Sequence, residues 1–190
     1  KNQTSSMGSV LSATLVGVIV FWILSGVPAA AQPATIEGVA FSRDGQKAYV
    51  TNVSSGNVSY IDVATREVER TVATGALGTV PRGIAASPDH SRLYVANSGT
   101  NAVAVIDRVA GTVISAVPVG NGPFGLAITP NGATVITANT TGNSASFIST
   151  ATNTLLGTVP VGTQPYGIAT SPDGLLAYVA NFASNSVSVI

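Results

Sequence analysis

Few residues in this chain could make or break bonds. Among 190 residues there are one histidine (His90), no cysteine and eight carboxylates. The lack of cysteine excludes disulfides, thiolate nucleophiles and cysteine–zinc sites. His90 has no cluster of acidic or cysteine ligands beside it, so it reads as a solvated turn residue rather than a metal ligand or base. No G-x-S-x-G nucleophile elbow occurs. Glycoside hydrolysis would need two converging carboxyls. Asp44, Asp89 and Asp173 instead sit in equivalent turns, and Asp62 and Asp107 close equivalent strands as Asx turns, with Thr65 after the first. No catalytic residue, metal site or cofactor is assigned. The one chemically varied set is Glu37, Arg82, Phe124 and Tyr166, and its meaning depends on the elements that carry it.

Those elements form a repeat. The core stretch reads Tyr49-Val50-Thr51-Asn52, Tyr94-Val95-Ala96-Asn97, Ile136-Thr137-Ala138-Asn139 and Tyr178-Val179-Ala180-Asn181, its asparagines spaced 45, 42 and 42 residues apart. Each unit has four short strand signals. The first opens on Gly38, Gly83, Gly125 or Gly167, with Ala40, Ala85, Ala127 or Ala169 two residues on, which suits a crowded innermost strand. A turn such as Ser87-Pro88-Asp89-His90 follows. The second strand carries the core stretch. The third alternates with period two: Val58/Tyr60, Val103/Val105, Ala145/Phe147 and Val187/Val189 on one face, and Ser59/Ile61, Ala104/Ile106, Ser146/Ile148 and Ser188/Ile190 on the other. Apolar residues on both faces require cover on both faces. The fourth strand contains Pro118 and Pro160, which places it at an edge. The pairs Asn52/Asn57, Asn97/Asn101, Asn139/Asn143 and Asn181/Asn185 bracket the loop between strands two and three and read as turn closure, with an Asn-lined binding face as the alternative. Four-stranded units at this period predict an all-β fold, a β-propeller of antiparallel blades. The units run 35–80, 81–122, 123–164 and an incomplete 165–190, about 3.5 blades.

In this layout Glu37, Arg82, Phe124 and Tyr166 share one position, just before the axial glycine and near one mouth of the central channel. What varies on one face of a repeat fold is where function tends to sit. The four are therefore the candidate ligand or partner surface, against the alternative of mere tolerance at a loop edge.

The pattern P-x-G-I-A-x-S-P-D-G, YVAN, V-x-V-I-D and V-x-V-G over 35–190 resembles the YVTN-type β-propeller repeat of exported bacterial and archaeal surface proteins. More distantly it is similar to lactonase-like and cytochrome-associated propellers. Ile36, His90, Ile136-Thr137 and Ser149 depart from the pattern, each at a place where other copies keep it. The resemblance implies a ring of about seven blades, of which this chain would be an N-terminal fragment. A closed four-blade ring is the alternative.

Residues 1–31 stand outside the repeat. Leu15 to Leu24 is an unbroken apolar run, followed by Pro28 and Ala29-Ala30-Ala31. This is the layout of a signal peptide cleaved after Ala31, although only Lys1 precedes the run with positive charge. Extended to 10–27 it is about 18 residues, the lower limit for an uncleaved membrane anchor. Either reading places the repeats outside the cytoplasm, in the periplasm, on the cell surface or secreted.

Formal net charge is zero and charged residues are 8% of the chain, against roughly 25% in an average domain. No basic footprint exists for nucleic acid. The expected partner is a protein or small-molecule ligand, and the membrane is met only through an uncleaved N-terminal segment. The function expected is an exported binding or scaffold module, non-catalytic by itself. The alternatives are the propeller of a periplasmic enzyme, lactonase-like or redox, with its catalytic residues in further blades, and a structural cell-surface protein.

Overall fold

Short runs of β-branched and aromatic residues cut by Gly, Pro, Asn and Asp leave each segment only strand conformation and tight turns. The computed structural model describes residues 35–75 and 80–190. The signal-peptide or anchor reading of 1–31 lies outside the described residues. Among them, no helix is long and apolar enough to cross a membrane.

Among the described residues, fifteen strands form four sheets. The first blade comprises β1 (Ile36–Phe41), β2 (Lys47–Asn52), β3 (Asn57–Asp62) and β4 (Val68–Ala73). The second comprises β5 (Pro81–Ala86), β6 (Arg92–Asn97), β7 (Ala102–Asp107) and β8 (Thr112–Pro118). The third comprises β9 (Pro123–Ile128), β10 (Thr134–Asn139), β11 (Ser144–Ser149) and β12 (Thr154–Pro160). The fourth has β13 (Pro165–Thr170), β14 (Ala177–Asn181) and β15 (Ser186–Val189). Every sheet is an antiparallel meander in sequence order. The first strands β1, β5, β9 and β13 neighbour one another in turn and form the inner wall. β4, β8 and β12 pair only with the third strand of their own blade, so the proline-bearing strand is the outer edge as expected.

The blades stack through the two faces of their third strands. Tyr49, Val58, Tyr60 and Val72 of the first blade pack on Ile84, Leu93, Val95, Ala104 and Ile106 of the second. The next junction joins Tyr94, Val103, Val105 and Val117 to Val135 and Ile148, and the last joins Ile136, Ala138 and Ala145 to Ala177 and Val179. In each, a larger-residue face meets the small/Ile face of the next blade. Each fully buried Val, Leu or Ile contributes about 1.5–3 kcal/mol, so these junctions are the core.

The asparagine that closes each core stretch does more than close a turn. Asn139 Nδ2 donates to Ser144 Oγ (3.0 Å) and Ser146 Oγ (2.9 Å), while Gly120 N–H of the preceding blade donates to Ser146 Oγ at 3.2 Å. Asn181 repeats this with Ser186 and Ser188, and Gly162 N–H donates to Ser188 Oγ. Asn97, which lacks the serine partner because Ala104 stands there, donates to the Thr74 carbonyl of the first blade at 2.9 Å. In three blades, through Ser59, Ser146 and Ser188, the small third-strand position thus holds a hydrogen-bond acceptor as well as making room. Asn52 and Asn57 do bracket their loop, as cross-strand partners with Asn52 Nδ2 donating to Asn57 Oδ1 at 2.5 Å, but Asn57 is not the counterpart of Asn101, Asn143 and Asn185. The left-handed position of that loop is Gly56 (φ 65°) in the first blade and Asn101, Asn143 and Asn185 (φ 52°, 49° and 47°) in the others. Asn57 lies one residue later, inside β3.

Candidate ligand surface on the axial rim

Each inner strand carries an irregularity at its first residues. Pro81 pairs with Asn97 and Ile84 with Val95, so Arg82 and Gly83 together face the single residue Ala96. Ile36/Val39 and Pro165/Gly167 show the same shift, and in β9 the step falls opposite Thr137 and Asn139. Two residues against one is a β-bulge, which re-aims the extra side chain. The extra residues include Glu37, Arg82, Phe124 and Tyr166.

The glycine beside each is fixed by close approach. A Cβ on Gly38 would stand 2.4 Å from the Arg82 carbonyl oxygen, one on Gly83 2.3 Å from that of Phe124, and one on Gly125 2.1 Å from that of Tyr166. Each blade therefore seats the variable residue of the next directly on its own glycine. Thr51 adds a hydrogen bond from its hydroxyl to the Arg82 carbonyl, 2.7 Å.

This stacking brings the four predicted residues into one continuous row across four blades. The Arg82 guanidinium pairs with the Glu37 carboxylate, is 5.4 Å from the centre of the Phe124 ring and lies 3.4 Å from Ser98 Oγ. Phe124 meets Tyr166 edge-on, with ring centres 4.6 Å apart. Tyr166 in turn meets Phe182 edge-on at 5.6 Å. An ion pair, a cation on an aromatic face and two edge-to-face aromatic pairs thus run side by side, each favourable by the charge distribution of the rings. The row grades from charged to apolar, and its apolar end is open: Tyr166 is 38% and Phe182 71% exposed. With Val187 they border a shallow groove of about 420 Å³.

The sequence reading missed Phe182. It follows the core stretch, where the other copies have Val53, Ser98 and Thr140, so this position also refuses to repeat and the signal was present. Thr140 and Ser98 serve the rim through their hydroxyls, which donate to the Pro165 and Val80 carbonyls.

The other titratable groups make local contacts. His90 adopts φ 62°, like Gly45, Gly132 and Gly174 at the same turn position, and its Nδ1 accepts the Arg43 N–H at 3.4 Å. Asp62 Oδ1 accepts the N–H groups of Ala64 and Thr65, and Asp107 Oδ1 those of Val109 and Ala110, both Asx turns. The Lys47 ammonium at 2.7 Å, then the Thr65 N–H, hold Asp62 down to about 2. The Ser87 hydroxyl, then Ser91, hold Asp89 down to about 2. Burial pushes the Tyr60 hydroxyl up to about 12, with Arg70 stacked 4.4 Å from its ring centre. Among the described residues no three His, Cys, Asp or Glu side chains group as a metal site.

Sheet order, blade stacking and axial inner strands define the arc of a β-propeller, three blades of four strands and one of three. Solved structures agree. The chain is similar to Kuenenia stuttgartiensis hydrazine synthase (TM-score 0.72, 24% identity, 86% of this chain and 52% of that one). It is similar to a protein of unknown function from Desulfotomaculum acetoxidans DSM 771 (0.67, 23%, 84% and 56%). It is also similar to a protein from Bacteroides uniformis ATCC 8492 proposed to be a 6-phosphogluconolactonase (0.71, 20%, 85% and 52%). The chain spans about half the length of each. No protein-family model and no curated protein sequence matches the chain.

Proposed function

We propose that the chain is an exported YVTN-type propeller module that binds a protein or small-molecule partner across its axial rim and is non-catalytic by itself. The observation that carries this is the row Glu37–Arg82–Phe124–Tyr166, one residue from each blade, continued by the exposed Phe182. A ligand laid across the axis would meet charge at one end and aromatic edges at the other. Aromatic and arginine side chains are the residues most often found to dominate binding energy. Export is supported by the apolar run 15–24 and the Ala29–Ala31 site that follows it. The enzymatic alternative draws on the hydrazine synthase likeness, which is a likeness of fold.

The test is capture from envelope extracts. Immobilised chain should retain a defined partner, and Tyr166→Ala with Phe182→Ala should lose it at least tenfold while keeping the β-sheet circular-dichroism spectrum and a cooperative unfolding transition. Equal capture by the double variant would remove the rim as the binding surface.

A further inference from the structure

The rim opposite the axial row, where the β5–β6 turn meets the third blade, carries a second feature. At the junction of the first two blades the gap is bridged. Arg108 Nε donates to the His90 carbonyl and its Nη1 lies 3.4 Å from the Tyr49 hydroxyl, while His90 Nδ1 accepts the Arg43 N–H. One junction on, Gly132 stands in place of His90, Thr150 in place of Arg108 and Tyr94 in place of Tyr49. Both of those side chains are gone; Arg92 crosses this junction instead, to Thr150 and Asn153, and beside it a cavity of about 480 Å³ opens between the blades. That is within the range of small-molecule sites.

Its walls are polar and of mixed sign. Arg92 is held in place by Nη1, which donates to the Thr150 carbonyl at 2.5 Å and to Asn153 Oδ1 at 3.1 Å. Arg92 also hydrogen-bonds the Tyr94 hydroxyl, and of the five N–H donors of a guanidinium the rest remain for a ligand. Asn131 Oδ1 accepts the Thr129 hydroxyl and the Ala133 N–H, which leaves its amide nitrogen to donate. Asp89 supplies a carboxylate steadied by Ser87 and Ser91. One cation and one anion line the same cavity, so a charged ligand would gain from one and lose to the other. A neutral molecule whose groups both donate and accept matches all of them.

We propose that this cavity binds an uncharged, polyhydroxylated molecule of about sugar size. Arg92 and Asn131 would donate to its hydroxyl oxygens and Asp89 would accept from its hydroxyl hydrogens. The proposal does not depend on the axial row.

The test is saturation-transfer NMR on the purified chain with glucose, galactose and N-acetylglucosamine as neutral probes, and acetate and ethylammonium as charged ones. At least one sugar should receive saturation at millimolar concentration. Thr150→Arg, which restores the bridging side chain, should weaken the effect at least tenfold, and Ile114→Ala, exposed on the outer strand β8, should leave it unchanged. Gly132→His reads the same site independently: the equivalent His90 already occupies that backbone conformation, and the added Cβ would stand 3.1 Å from the Pro88 ring, which must yield by a few tenths of an ångström. Absence of transfer from all three sugars, transfer undiminished in both filling variants, or transfer to a charged probe alone would overturn the proposal.

Discussion

A carbonyl oxygen stands where a Cβ on Gly83 or Gly125 would go, at 2.3 Å and 2.1 Å, and both obstacles are backbone of the neighbouring blade, which cannot rotate away. At Gly167 the nearest atom is the Ala180 Cβ at 3.9 Å. Gly83→Ala and Gly125→Ala should each destabilise by about 1–3 kcal/mol, as overpacking does. Gly167→Ala should be neutral or slightly stabilising, because it only narrows the unfolded ensemble. Urea unfolding of the three variants separates these outcomes, and equal losses would refute the axial contact as the cause. Aspartates give a second prediction at this scale. Asp62 and Asp89 titrate near 2 when folded and near the ordinary value, about 3.9, when unfolded. The unfolded state therefore binds protons more readily. The stability these groups contribute is complete above the unfolded value and is lost as pH falls through about 4 towards 2. The urea midpoint should fall over that window. Asp89→Asn, which copies Asn131 of the third blade, should make the fall shallower, and an unaltered slope would count against the Ser87–Asp89 contact.

The unit that resists disruption between elements is the asparagine network. Asn139 ties β10 to β11 through two serines, and Ser146 reaches Thr158 on β12 at 2.8 Å and Gly120 of the preceding blade. The Oδ1 atoms of Asn52, Asn97, Asn139 and Asn181 are buried without a partner, which offsets part of what the amide nitrogens gain. Asn139→Ala should still cost about 1–3 kcal/mol, since it strips a buried cluster of its donor. Hydrogen exchange should then quicken in β10, β11 and β12 more than in β1–β4, and uniform acceleration would point to global destabilisation alone. This network also marks where the sequence became opaque. Strands, turns, the outer edge and the two packing faces were legible because they follow from period-two alternation, proline and glycine, which are local signals. The bulge beneath Arg82 was not, because it depends on the register of β5 against β6. Nor was the reach of Asn97 to Thr74, which crosses between blades and leaves no spacing signature. The axial row was half legible. Its four members betrayed themselves by failing to repeat, but their mutual contact, and Phe182 beside them, needed the stacking geometry.

At the scale of the molecule, the three junctions define what a blade face requires. Tyr49, Tyr94 and Ile136 are almost fully buried under the following blade, whereas Tyr178 at the same position is 44% exposed. Val187 and Val189 are 62% and 55% exposed, although their counterparts Val58, Val103 and Val105 are fully buried. Repeat folds gain stability from each added neighbour interface, so this face should accept another blade bearing the small/Ile pattern. Residue 149 follows Ile148 just as an appended segment would follow Ile190. Duplicating residues 149–190 after Ile190 therefore supplies the outer strand of the fourth blade and three strands of a fifth. The appended Ser188 and Ile190 equivalents would cover Tyr178, Val187 and Val189, and a second Tyr166 would arrive beside Phe182. Burial of those three side chains, at about 1.5–3 kcal/mol each as an upper bound, should raise the melting temperature and the denaturant dependence together. Tyr178 should also become protected from iodination. A chain that gained length but lost stability, or kept Tyr178 reactive, would show that the face is not built to receive a blade.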